Sequence, residues 1–174
     1  MQKKICLLGT FAVGKTSLTE RFTKSIFSER YHTTVGVRVQ KRTVALGDQA
    51  LDLIIWDLAG EDEFVALRTA YLRGASGYIL VADGTRPETL DRAIDLRRRA
   101  HSTLGNVPFV LVVNKTDRLE DWAVDEMVLD ELVGERWLVF RTSAKTGQGV
   151  EEAFIRLARA VACGENLDLA FRDR

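Results

Sequence analysis

The chain has 174 residues, 46% of them hydrophobic, and its 25 Lys plus Arg are matched by 25 Asp plus Glu. That length suits one domain with one sizeable core rather than two. The balanced charge excludes a global field drawing the protein to nucleic acid or to an anionic membrane surface, and neither is expected as a partner.

The first apolar run, 4–8, reads as a strand and leads into Gly9-Thr10-Phe11-Ala12-Val13-Gly14-Lys15-Thr16, which fits GxxxxGK[ST]. A helical pattern over 15–24 follows. Strand, glycine turn and helix in that order make a phosphate cradle. The turn lets backbone N–H groups, those of Ala12, Val13 and Gly14 among them, point at an anion, while the positive end of the helix at Lys15, Thr16 and Ser17 faces the same spot. Lys15 is expected to reach the β- and γ-phosphates, and the Thr16 hydroxyl to ligate Mg²⁺.

In the run 35–46, Val35, Val37 and Val39 alternate with polar neighbours, as on a half-exposed edge strand. The turn Leu46-Gly47-Asp48-Gln49 then predicts an antiparallel hairpin with the run 51–57. Asp57 closes that run, where a phosphate-loop protein needs a carboxylate to hold Mg²⁺ directly or through water. Gly60, three residues on, has no side chain to keep its N–H from a γ-phosphate. Helical patterns at 64–73, 87–104, 123–132 and 150–163 alternate with strand-like runs at 78–83, 108–114 and 137–140. Pro87 suits a first helical turn, and Val150, Phe154, Leu157 and Val161 make one buried stripe. Residues 79–81 and 109–113 are continuously apolar, as central strands are. The alternation predicts an α/β domain around a mostly parallel sheet, with a tail at 164–174 that frays.

Asn114-Lys115-Thr116-Asp117 selects a base. A carboxylate at Asp117 accepts hydrogen bonds from the N1–H and 2-amino group of guanine, whereas adenine presents an acceptor at N1 and no 2-amino group. The backbone of Ser143 and Ala144, within Thr142-Ser143-Ala144-Lys145, is expected near the 6-oxo group, with the stems of Lys115 and Lys145 over the ring faces. All these motifs follow strands at their carboxyl ends, where ligands of such sheets bind, so they predict one composite pocket.

Other features carry less. Arg97-Arg98-Arg99 fans around its helix and reads as a solvated face. Cys6 and Cys163 read as small buried hydrophobes in a reducing compartment, and no signal peptide or membrane span is visible, so a cytoplasmic protein is expected. The chain ends Phe171-Arg172-Asp173-Arg174 without a lipidation cysteine, and no direct membrane anchor is expected. His32 and His101 have no companions that assign them chemistry.

With these motifs in place, residues 3–161 resemble the small GTPases of the Ras superfamily, and most of all the Rab group. The Rab character lies in Val35-Gly36-Val37, in Trp56 before Asp57, and in Ala70-Tyr71-Leu72-Arg73-Gly74-Ala75. The resemblance implies a P-loop NTPase G domain over 1–163: a six-stranded, mostly parallel sheet with one antiparallel edge strand, flanked by five helices. It implies GTP and GDP as ligands with Mg²⁺, Phe27 against the base, and Thr34 sensing Mg²⁺ and the γ-phosphate. It also implies a molecular switch through segments 26–37 and 58–72, read by an effector, an exchange factor and an activating protein. GTP hydrolysis would then rest on Lys15, Thr34, Gly60 and Glu61. Trp56 and Tyr71 read equally as a partner patch or as half-buried packing.

The chain departs from the family pattern at several positions. Glu61 stands where most members have a water-orienting glutamine, which predicts slow hydrolysis without a partner, since a carboxylate donates no amide hydrogen bond and faces an anion. Phe11 and Ala12 stand where Ras has two glycines, and the Phe11 benzyl group would crowd an arginine finger from an activating protein. Val39 replaces a phenylalanine that Rab proteins often present to effectors. Phe11 and Glu61 together support an alternative reading, a GTP-loaded scaffold with little hydrolysis. An ATP-dependent kinase or motor subunit on the same loop is disfavoured by residues 114–117.

Overall fold

The structure, a computed structural model, describes residues 1–28, 36–58 and 65–164. Among these the chain order is β1 (Gln2–Leu8), α1 (Lys15–Lys24), β2 (Val37–Leu46), β3 (Gln49–Leu58), α2 (Val65–Leu72), β4 (Gly77–Asp83), α3 (Glu88–Leu104), β5 (Phe109–Asn114), α4 (Glu126–Gly134), β6 (Val139–Thr142) and α5 (Val150–Cys163). Every residue of β4 and of β5 is buried, as continuous apolar runs covered on both faces require. The sheet runs β2-β3-β1-β4-β5-β6, and only β2 with β3 is antiparallel. The six-stranded α/β fold, its edge hairpin and its five helices agree with the expectation.

Helices cover both faces. Leu18, Phe22, Phe154, Leu157 and Val161 pack on one face with Ile5, Ile55, Ile79 and Val110, and Phe22 stacks on Phe154 with ring centroids 4.2 Å apart. On the other face, Leu90, Ala93, Leu96 and Leu129 pack with Cys6, Tyr78, Leu80 and Leu111. Burying that many aliphatic side chains, at about 1.5–3 kcal/mol each, drives the layered packing. At the edge, the Arg42 guanidinium lies 4.0 Å over the Phe22 ring and makes two 2.6 Å hydrogen bonds to Glu151, tying β2 to α5.

Some boundaries and exposures differ from the expectation. The fourth helix starts at Glu126 rather than 123, because Asp125 is its cap: the carboxylate accepts from Met127 N at 2.9 Å. The preceding residues are held elsewhere, with the amides of Ala123 and Val124 both donating to Gly84 O. The last strand begins at Val139 rather than 137, since the Trp137 amide turns back to Leu132 O at 2.9 Å. Cys163 is exposed at the end of α5, so the buried reading holds for Cys6 alone. Arg97 is not wholly solvated either, its guanidinium lying 4.5 Å over the Phe109 ring.

Parallel register brings the strand ends level: Asp83 of β4 lies beside Asn114 of β5, which lies beside Thr142 of β6. On the other side Asp57 of β3 lies beside Leu7 of β1. The loops that leave these ends form one rim.

Candidate nucleotide site

The phosphate loop is held by its backbone shape and by side chains from distant strands. Gly14 has φ 105°, and a Cβ on it would come within 2.3 Å of Asn114 Nδ2, so both conformation and space demand glycine. Ala12 also sits in the left-handed region, at φ 62°, which for a residue with a Cβ costs on the order of 1 kcal/mol. The Lys15 ammonium donates to Gly9 O at 2.8 Å and Thr10 O at 2.9 Å, within reach of the loop's mouth. Ser17 follows on the first turn of α1, half-buried.

Thr16 and Asp57 meet although 41 residues separate them, with the hydroxyl donating to Asp57 Oδ2 at 2.5 Å. Asp57 is fully buried, and among the described residues its Oδ1 has no hydrogen-bond partner. Burial pushes its carboxyl above the ordinary carboxylate range, against the opposing pull of the Thr16 hydrogen bond and the Lys15 charge. A hydroxyl beside a carboxylate with an unpartnered oxygen fits a hard divalent cation such as Mg²⁺. Among the described residues no group of three or more His, Cys, Asp and Glu stands close enough to hold a metal ion.

The base-reading loops are joined to the phosphate loop through Asn114. Its Nδ2 donates to Val13 O at 3.1 Å, and its Oδ1 accepts from Thr142 Oγ1 at 3.1 Å and from Ala144 N at 3.2 Å. Lys115, with φ 77°, donates to Ala12 O at 3.0 Å and pairs with Asp83 at 2.7 Å. Asp117 is exposed, and one of its oxygens accepts from Ser143 Oγ at 2.6 Å, which restrains the carboxylate plane. The Ser143 amide is engaged by Gln148 O, leaving the Ala144 amide as the one on the Asn114 side. Phe27 is partly buried against the α1–α5 core, and Lys145 is exposed.

Thr34, Gly60 and Glu61 lie outside the described residues, as do much of segments 26–37 and 58–72 and the tail from 165. Of the remaining predicted residues, Ala12, Val13, Gly14, Lys15, Thr16 and Asp57 gather on one side of the pocket and Asn114, Lys115, Asp117, Ser143 and Ala144 on the other. The sequence reading missed Arg21, whose guanidinium donates to Ala144 O at 2.8 Å and Lys145 O at 2.5 Å and so shapes that loop. It also missed Asp83 and Arg86. Nothing local marks these residues, because the contacts that bring them to the site, Arg21 with the 144–145 carbonyls, Asp83 with Lys115 and Arg86 with Phe11 O, reach far along the chain. Trp56 and Tyr71 are both partly buried and packed on the second face, 6.0 Å apart, with Lys4 Nζ 3.8 Å over the Trp56 ring.

A GxxxxGK[ST] loop and an Asn-Lys-x-Asp loop meeting at the carboxyl rim of a mostly parallel sheet define the class: a P-loop nucleotide-binding domain of the Ras-like type. The family model described as "Ras family" matches residues 4–163. Ras-related protein Rab-13 of Bos taurus is 35% identical over 160 residues, covering 91% of this chain and 79% of that protein. The chain therefore belongs to the Ras family and is a Rab-like small GTP-binding protein. Among the described residues no helix is long and apolar enough to cross a membrane.

Proposed function

We propose that this protein binds GTP and GDP with Mg²⁺, hydrolyses GTP slowly by itself, and works as a switch whose two states are read by partner proteins. The observation that carries this reading is Asn114, whose one side chain bonds the phosphate loop, β6 and the loop after it. A side chain placed so makes base recognition and phosphate binding parts of one pocket.

In this reading the backbone amides of Ala12, Val13 and Gly14, with Lys15, hold the β- and γ-phosphates, and Ser17 lies near the α-phosphate. Thr16 and Asp57, with Thr34, hold Mg²⁺, which when bound neutralises charge on the β- and γ-oxygens. Asp117 accepts from the guanine ring donors, and the backbone of Ser143 and Ala144 lies near the 6-oxo group. Asn114 and Lys115 keep those groups in place, Ser143 orients Asp117, and Phe27 and Lys145 flank the base. Glu61 orients a water whose oxygen attacks the γ-phosphorus; the β–γ bridging P–O bond breaks, GDP leaves, and the water's proton goes to the released phosphate. Thr34 and Gly60 touch the γ-phosphate only while it is there, so its loss releases segments 26–37 and 58–72, and an effector, exchange factor or activating protein that reads those segments reads the nucleotide. Two free cysteines suit a reducing cytoplasm.

The test is chromatographic identification of nucleotide carried through gentle, non-chelating purification, followed by phosphate release with and without Mg²⁺. Bound guanine nucleotide and Mg²⁺-dependent release support the reading; an empty protein that ignores GDP and GTP in calorimetry sinks it. The scaffold alternative is favoured by one observation, that Phe11 is 46% exposed at the phosphate loop. Labelled GTP retained over hours without phosphate release selects that alternative.

A further inference from the structure

Three consecutive carbonyls of the phosphate loop accept hydrogen bonds from side chains. Phe11 O accepts from Arg86 Nη2 at 2.8 Å, Ala12 O from Lys115 Nζ at 3.0 Å, and Val13 O from Asn114 Nδ2 at 3.1 Å. All peptide bonds here are trans, and in a trans peptide the C=O of one residue and the N–H of the next point in opposite directions. Pulling these carbonyls against the β4–β5 rim therefore aims the amides of Ala12, Val13 and Gly14 away from it. Those are the amides that the reading above places on the phosphates.

Asn114 and Lys115 belong to the base motif, but the third donor does not. Arg86 stands between β4 and α3, 75 residues from the carbonyl it holds. Its Nε pairs with Asp83 Oδ2 at 3.1 Å, and the same oxygen pairs with Lys115 Nζ at 2.7 Å. Asp83 is 1% exposed, and its other oxygen accepts from Thr85 N at 2.9 Å and Thr85 Oγ1 at 2.7 Å. One fully engaged carboxylate thus holds two cations side by side, each donating to the next peptide of the loop. An arginine whose only role was to pair locally with Asp83 would not place its far nitrogen on the loop.

We propose that Asp83 and Arg86 are positioning residues for the diphosphate of the bound nucleotide, forming a brace that orients the phosphate-loop amides and links them to Lys115 of the base motif. The proposal rests on the nucleotide reading. Arg86 touches no phosphate; it acts through the Phe11–Ala12 peptide. Its planar fork is what allows simultaneous contact with Asp83 and Phe11 O, and a lysine ammonium in its place reaches only one of them well.

The test is release of fluorescently labelled GDP from the full chain in Mg²⁺ buffer, with competition by unlabelled GDP and GMP, for the native protein, Arg86→Ala and Arg86→Lys. Loss of one hydrogen bond to a charged donor predicts GDP release about tenfold faster in Arg86→Ala, with Arg86→Lys in between. GDP affinity falls by the same factor while GMP, which lacks the β-phosphate, changes less than about twofold. The ³¹P resonance of the bound β-phosphate shifts in the Ala variant and partly returns in the Lys variant. Should Arg86→Ala not fold, Arg86→Lys carries the same comparison. Native release rates in both variants, or equal losses for GDP and GMP, overturn the brace alone. A native chain that binds no GDP overturns the nucleotide reading instead, and the brace with it.

Discussion

Asn114 and Asp57 both end buried strands at one rim of the sheet, and they are treated in opposite ways. The Asn114 amide is satisfied at both ends by Val13, Thr142 and Ala144, whereas Asp57 has one oxygen on Thr16 and the other on no partner among the described residues. Their surroundings follow suit: on the base side Ser143 orients Asp117 and Arg21 holds the 144–145 carbonyls. The base side is assembled by the protein alone. The phosphate side holds a buried acceptor without a partner among the described residues, which suits a site completed by a charged ligand.

The sharpest way to break the base side is Asp117→Ala. Without the acceptor for the ring donors, preference for GDP over ADP should fall by roughly 10⁴, as read by competition against labelled GDP. A change under about tenfold would mean that other groups read the base.

Asp57→Asn probes the phosphate side and sets two buried aspartates against each other. Asp57 has a folded pKa above its unfolded one, so the stability it contributes is present below the unfolded value and lost as pH rises through the folded one. Asp83 runs the other way: burial pushes it up, but hydrogen bonds from Lys115 and Thr85 outweigh that and hold its carboxyl below the ordinary range. Its contribution is present above the unfolded value and lost as pH falls through the folded one. At pH 7 the nucleotide-free Asp57→Asn protein should thus be more stable in urea, by about 1 kcal/mol, yet lose the dependence of GDP retention on Mg²⁺. Lower stability at neutral pH would show that Asp57 already has a compensating partner.

Arg21→Ala should have the smallest effect. Removing two hydrogen bonds from a partly exposed side chain costs about 1 kcal/mol and speeds GDP release by about fivefold, measured by stopped flow. Base preference should stay as in the native chain. If it collapses, the 143–145 loop is less self-sufficient than its Asn114 and Gln148 contacts indicate.

What was legible in the sequence was whatever is written locally. The phosphate loop is eight contiguous residues with a required glycine conformation, Asn114 to Asp117 is a tetrapeptide, and the buried strands are unbroken apolar runs. The alternation of strand and helix is enough for the sheet, its edge hairpin and the rim. Arg21, Asp83 and Arg86 were not legible, because each looks like an ordinary surface charge until the fold places it against a carbonyl or a cation far along the chain. Asp125 is an intermediate case. Its capping role was available from its type and position, but the apolar residues before it suggested an earlier helix start.

The contrast between the two cysteines makes the molecule easy to tag. Burial pushes the Cys6 thiol up to about 12, so it is almost wholly protonated near neutrality and shielded from reagents, while Cys163 stands open at the end of α5. A maleimide dye applied to the unaltered chain should therefore attach at a single place, on the last turn of a helix anchored in the core. Such a reporter would follow the folded protein without any engineered substitution.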